Sequence, residues 1–196
     1  MRVRMPGAMA DAFVAGRVDQ APLTQAAFAD FYARTAGPLG GYVRRLTGHR
    51  ALAEDLVHEA YVRFLSLVRV PATDDHRRNY LFRIATNLAR DHFRRAQRDH
   101  GYRESLPAPA PARDWSARRH LPDRGELDDV LAGLSTRDRE LLLLAYVEGL
   151  THREISAITG LMRASVKPLL FRARRRFAAA LRAVGLGDAE GAEPAS

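Results

Sequence analysis

The chain contains no cysteine and only one lysine, Lys167, although Lys and Arg together number 31. Without cysteine, disulfide staples, thiolate zinc sites and a cysteine nucleophile are excluded. The opening stretch "MRVRMPGAMADAFVAG" has no apolar run long enough for a secretory signal, and no later stretch approaches a membrane span. A soluble cytoplasmic protein is therefore expected. Strand alternation of useful length is missing throughout, which points to an all-α chain. Acidic residues are absent between Ile155 and Gly187, where arginine is dense. A solvated surface helix mixes both signs, so this one-signed stretch favours a phosphate-facing element.

The 196 residues, 46% of them hydrophobic, suit one domain or two small ones with a filled core. The formal net charge of +8 points to a polyanionic partner, most often nucleic acid and sometimes an anionic membrane.

Residues 1–20 read as a weakly ordered lead-in. From Pro22 the pattern is helical, with Phe28, Phe31 and Tyr32 at 3–4 spacing. "GPLGG" at 37–41 is expected to interrupt it, leaving a short second helix that ends near Thr47. Residues 51–68 are amphipathic. Leu52, Leu56, Ala60 and Phe64 share one stripe, and Asp55, His58, Glu59 and Ser66 lie opposite. Pro71 ends that helix, and "VPATDDHRR" reads as a polar loop. A further helix is expected over 79–98, its core side built on Leu81, Ile84 and Leu88. Arg83, Asn87, Arg90, Arg94 and Arg98 form a polar stripe at the same period.

Residues 99–124 change character. Prolines alternate with alanine in "LPAPAPARDW", which predicts an extended linker carrying Trp115. It separates two helical domains, 21–98 and 125–184. In the second, "ELDDVLAGL" is a short helix. Ser135 or Thr136 caps the next, and Gly149 stops it. Thr151 and Glu154 form a capping box for a helix ending near Thr159-Gly160. A tight turn then leads to the last helix, which gives a helix-turn-helix signal. Ser165 is expected to cap that last helix. Pro168 then falls in its first turn, where a missing N–H forfeits no bond. Val166, Leu170, Ala173, Phe177, Leu181 and Val184 make its apolar stripe. Residues 185–196 read as a disordered tail.

These motifs resemble those of a known family. "AEDLVHEAYVRFL" (53–65) and "YLFRIATNLARDHFRR" (80–95) are similar to region 2 of the bacterial sigma-70 transcription initiation factors. The likeness is to their small extracytoplasmic-function (ECF) group. "LSTRDRELLLLAYVEGLTHREISAITG" with "SVKPLLFRARRRFAAAL" resembles region 4. The resemblance implies a protein that binds core RNA polymerase, through its clamp helices and flap, and directs it to promoter DNA. Asp55, His58 and Glu59 would meet the polymerase. Histidine stands at 58 where the family has glutamine. Both donate hydrogen bonds, but histidine can also gain a charge.

Arg77, Arg78, Tyr80, Arg83, Asn87, Arg90, Arg94, Arg95 and Arg98 would follow the −10 element. The base-capturing loop of the family falls at about Val70 to Arg78. Tyr80 is as much a core candidate as a base platform, and Asp91 can pair with a neighbouring arginine. Thr151, Arg163, Ser165, Lys167, Arg172, Arg175 and Arg176 would dock on the −35 element. Where the family has serine-arginine-leucine, this chain has Pro168-Leu169-Leu170, which shifts −35 binding toward backbone and shape. An anti-sigma partner is also implied.

The competing reading is a stand-alone helix-turn-helix regulator, which would leave the Asp55–Glu59 surface idle. An enzyme is not expected. Asp74-Asp75 and Asp128-Asp129 are adjacent pairs that diverge, and no metal spacing or cofactor motif occurs.

Overall fold

The computed structural model describes residues 18–19, 23–67, 70–100 and 124–186. The expected linker with Trp115, most of the lead-in and the tail from 187 lie outside them.

The architecture is helical. In chain order the elements are β1 (Val18–Asp19), α1 (Gln25–Thr47), α2 (Arg50–Leu65), β2 (Val70–Pro71) and α3 (Asp74–His100). There follow α4 (Arg124–Ala132), α5 (Thr136–Leu142), a π-helical turn (Leu143–Val147), α6 (His152–Thr159) and α7 (Arg163–Ala183). The two short strands pair antiparallel, Val18 with Pro71 and Asp19 with Val70.

α1 corrects the expected break at 37–41. It runs through Pro38 without interruption, from a Thr24 N-cap to Gly48 at φ 73°. Phe31, Thr35, Leu39, Tyr42, Val43 and Leu46 are all buried, so the core stripe keeps its period straight across "GPLGG". Burial of that stripe outweighs the hydrogen bond that Pro38 cannot donate. Phe31 stacks on Phe64 of α2 at 5.1 Å, and Tyr42 leans on Phe82 of α3 at 5.3 Å. The polar atoms inside this packing are satisfied. The Tyr42 hydroxyl meets Thr86 Oγ1 at 2.9 Å, and the Thr35 hydroxyl bonds both Phe31 O and Tyr61.

α3 begins earlier than expected. Residues 74–78 are its first turn and not part of a loop. Thr73 caps it, its Oγ1 accepting from His76 N at 3.3 Å, and Asp74 and Asp75 sit favourably against the helix dipole. "TDDH" is thus a helix start that polarity alone disguised as a loop.

In the second group, Ser135 caps α5, and Thr151 with Glu154 closes the capping box of α6, both as expected. Gly160, at φ 73°, reverses the chain in two further residues, Leu161 and Met162. Ser156 Oγ donates to Leu161 O at 2.6 Å and Thr159 Oγ1 accepts from Leu161 N, which holds the turn tight. α7 therefore starts at Arg163, ahead of the expected Ser165 cap, and Pro168 lies inside the helix. At that depth its missing N–H does cost a bond, the one to Ala164 O.

The two helical groups, α1–α3 and α4–α7, pack on each other, and their buried side chains form one continuous cluster. Arg139 of α5 is the polar hub of that contact, 8% exposed. It donates to Leu131, Ala132 and Leu134 carbonyls at the end of α4 and to Leu46 O near the end of α1. Burial pushes its pKa down from the ordinary arginine value.

Candidate nucleic-acid interface

Three helical faces carry the residues that sequence pattern singled out. On α2, Asp55 and His58 are exposed, and Glu59 is half-buried and accepts from Arg63 Nε at 2.7 Å. Two apolar side chains share that surface, Val62 and Leu65, both about half exposed. They extend the polar trio by the helical period. Sequence reasoning missed them, although two apolar residues outside the buried stripe were a usable signal.

On α3 the expected stripe divides. Asn87, Arg94, Arg95 and Arg98 are exposed. Arg94 pairs with Asp91, the structural role considered for that aspartate, and Arg98 Nε donates to Arg94 O. Arg83 is half-buried. The other cations are engaged within the protein. Arg77 Nε donates to Pro71 O at 2.7 Å and its NH1 to Asp74. Arg78 lies over the Phe82 ring and pairs with Glu148 at 2.9 Å. Arg90 forks onto both oxygens of Glu140, at 3.0 and 2.6 Å, and donates to Thr159 O at 2.9 Å. Tyr80 is half-buried and packs against the core.

Glu140 is only 2% exposed. Burial raises its pKa above the ordinary carboxylate value, more than Arg90 lowers it. Glu148 is raised for the same reason, against the pull of Arg78. Glu154 goes the other way. Burial raises it, but hydrogen bonds from Thr151 and Asn79 together hold it below its usual value.

On α7, Arg163, Lys167, Arg172 and Arg175 are exposed and Ser165 is half-buried. Arg176 reaches back to Asp138, at 2.8 and 3.0 Å. The Thr151 hydroxyl is committed to the α6 capping box. Two apolar side chains stand out in water here, Met162 at 76% and Phe171 at 58% exposure. Lys167, Phe171 and Arg175 follow one another four apart, with Pro168 beside them, so one face of the helix mixes cations with apolar surface. Phe171 was not among the expected contacts, although its place off the apolar stripe of Val166, Leu170, Ala173 and Phe177 was a usable signal.

An apolar cleft of about 560 Å³ opens between α4, α5 and α7, lined by Leu127, Leu131, Leu142, Tyr146, Phe177 and Leu181 among others. Among the described residues no cluster of His, Asp or Glu could hold a metal ion, and no helix is long and apolar enough to cross a membrane.

Comparison with known proteins gives both helical groups a match. Residues 31–99 fit the model of sigma-70 region 2, and residues 124–177 that of sigma-70 region 4. The chain is 36% identical over 146 residues to the RNA polymerase sigma factor CarQ of Myxococcus xanthus, spanning 70% of this chain and 79% of the relative. It is 30% identical to the ferric citrate uptake sigma factor FecI of Escherichia coli, over 74% of this chain and 86% of the relative. Among solved structures, CnrH in complex with the cytosolic domain of CnrY superposes with a TM-score of 0.58 at 26% identity, covering 82% of this chain and 90% of that one. The sigma factor RpoE, in complex with the anti-sigma factor NepR from Bartonella quintana, shares the fold. Its TM-score is 0.62 at 22% identity, over 79% of this chain and 96% of that one.

Proposed function

This chain belongs to the sigma-70 family of transcription initiation factors, in its ECF branch, and we propose that its two helical groups divide promoter recognition between them. α3 follows the −10 element, with Asn87, Arg94, Arg95 and Arg98 on its exposed part and Arg77, Arg78, Arg83 and Arg90 joining when their present partners release them. Arginines hold the backbone of an opened strand while its bases are unstacked. α7 enters the major groove of the −35 element. There Arg163, Lys167, Arg172 and Arg175 meet phosphates and base edges. Phe171 and Met162 offer the apolar surface that a thymine methyl group fits. Asp55, His58 and Glu59, widened by Val62 and Leu65, form the docking surface for the polymerase clamp.

The observation that carries this reading is the pairing of two cationic faces, on α3 and α7, with two matched regions in one chain. A stand-alone regulator would need only the second. The cell compartment follows from the partners: polymerase and chromosomal promoter place the protein in the cytoplasm. The solved complexes of CnrH and RpoE with CnrY and NepR support an anti-sigma partner for this chain too.

The first test is co-elution of the purified chain with core RNA polymerase on a sizing column at moderate salt. It should travel with the core and confer promoter binding that weakens steeply as salt rises. Arg94→Ala with Arg95→Ala should leave co-elution intact and impair promoter opening. Elution apart from the core, with DNA binding retained, would overturn the reading.

A further inference from the structure

The connection from α2 to α3 is held from more sides than a surface loop needs. Val70 is 6% exposed and belongs to the buried cluster. Arg77 Nε of α3 donates to Pro71 O at 2.7 Å. Thr73 caps α3, and its Oγ1 also meets the His76 ring at 2.9 Å. Asp74 is met by Arg77 from its own helix and by Arg34 from α1. The last hold comes from far up the chain, where β1, Val18–Asp19, pairs antiparallel with Val70–Pro71.

The register says which atoms do the holding. Antiparallel neighbours alternate between a pair that exchanges both N–H···O bonds and a pair that exchanges none. Pro71 has no N–H, so Val18 and Pro71 cannot be the exchanging pair. Asp19 and Val70 are therefore that pair, the Asp19 N–H donating to Val70 O and the Val70 N–H to Asp19 O. The Pro71 carbonyl then points away from β1, to the side from which Arg77 reaches it. Two backbone bonds thus fix Val70 and, through Pro71, the place of Arg77 at the start of α3.

β1 lies ahead of both matched regions, which begin at residues 31 and 124. What it holds nevertheless leads straight into α3. A segment ordered before it meets its ligand has less freedom to lose on binding. We infer that Val18–Asp19 is a positioning element for −10 recognition: through its backbone it orders the α2–α3 connection and the first turn of α3, so promoter opening depends on residues ahead of region 2. The inference rests on the reading of α3 as the −10 helix. A two-stranded ladder this short is marginal by itself. The buried stripes of α1, α2 and α3 supply the fold around it, so the ladder can be broken without unfolding the group.

Asp19→Pro removes the N–H that bonds Val70 O, and Asp19→Ala keeps it. Both are made in the full chain. In the Pro variant, hydrogen exchange should speed up at the Val70 amide and stay unchanged at the amides of α1 and α2. Co-elution with core polymerase and helical circular dichroism should be kept. On a promoter mapped for this factor, permanganate reactivity of the −10 thymines should develop about tenfold more slowly, the effect of losing a pair of backbone bonds. Asp19→Ala should recover both the opening rate and the slow exchange.

Fast exchange at Val70 with opening at the unaltered rate would overturn the positioning role and leave β1 a structural tie. An unchanged Val70 amide in the Pro variant would overturn the pairing itself. An Ala variant as slow as the Pro variant would put the effect in the side chain, against a backbone hold. Loss of co-elution or of helical content in the Pro variant would also overturn the inference, by making β1 part of the fold. The α3 reading is tested apart from this. If Arg94→Ala with Arg95→Ala opens normally, that reading falls and takes the inference with it. If that variant fails to open while Asp19→Pro opens normally, the inference falls alone.

Discussion

Phe171 carries the clearest prediction for a single residue. It stands exposed on the outer face of α7, one turn from Lys167 and from Arg175, where solvation alone gives no reason for an aromatic. If it meets a thymine methyl, replacing the −35 thymines of a mapped promoter by deoxyuridine should weaken binding by about fourfold per contacted methyl, the worth of one buried carbon. Phe171→Ala should abolish that thymine–uracil difference and leave binding to the uracil promoter nearly unchanged. Equal loss on both promoters would make Phe171 a packing residue. Arg139 is the opposite case, a cation turned inward. Its guanidinium satisfies four carbonyls at the ends of two helices, and no single partner is a carboxylate. Arg139→Ala should destabilise the chain by about 3 kcal/mol in denaturant unfolding, because those carbonyls lose their donor. Arg139→Lys should recover less than half, since an ammonium lacks the planar fork. Neither role was legible from local pattern. An arginine in "STRDRELL" gives no sign of its burial, and Phe171, off the apolar stripe, gives no sign of what it would meet. What decides both is which way the helix is turned once it has packed.

Elements were more legible than residues, and the exceptions share a cause. The helix expected over 51–68 and observed over Arg50–Leu65, the capping box at Thr151 and the helix-turn-helix followed from apolar period and cap chemistry, which act within a few residues. Both prolines were misplaced relative to their helices. Pro38 was weighed by backbone chemistry alone, whereas the buried stripe of α1 runs through it; Pro168 was placed inside its helix, but in the first turn of a helix that starts earlier than expected. Tertiary burial of a whole face exceeds the cost of one proline, about 3 kcal/mol in a helix interior. The same figure gives a prediction. Pro168→Ala should restore the N–H bond to Ala164 O and raise stability, by up to about 3 kcal/mol, visible as a higher thermal midpoint. Val166 and Leu170, the buried neighbours of Pro168, keep their places in the variant. A lower midpoint would mean that the ring itself packs productively at the start of α7. The early start of α3 belongs with these cases: Thr73 was a cap hidden inside a polar run.

At the scale of the whole molecule, nothing local announces that α3 touches α5 and the turn that follows it. Arg90 and Glu140 are 50 positions apart and Arg78 and Glu148 70 apart, so no period or motif links them. Their packing has a measurable consequence. Burial raises the pKa of Glu140 in the folded chain above the value of an exposed carboxylate, so the folded state binds this proton more tightly than the unfolded state. For a group shifted in that sense, the stability it contributes is full below the unfolded pKa and is lost as pH rises through the folded one. Ionised Glu140 at neutral pH is therefore a burden that Arg90 offsets only in part, as buried ion pairs often are. Glu140→Gln keeps the shape and one acceptor for Arg90 but removes the ionisation. The variant should be at least as stable as the unaltered chain at neutral pH in denaturant unfolding. That advantage should shrink as pH falls into the carboxylate range, where Glu140 takes up its proton. Glu148 adds in the same direction, and Glu154, held below its usual value, subtracts. A Gln variant much less stable at neutral pH, with a gap that narrows on acidification, would show that the pair with Arg90 more than repays burial. In the expected case the interface combines apolar attraction with a charge it would rather leave in water.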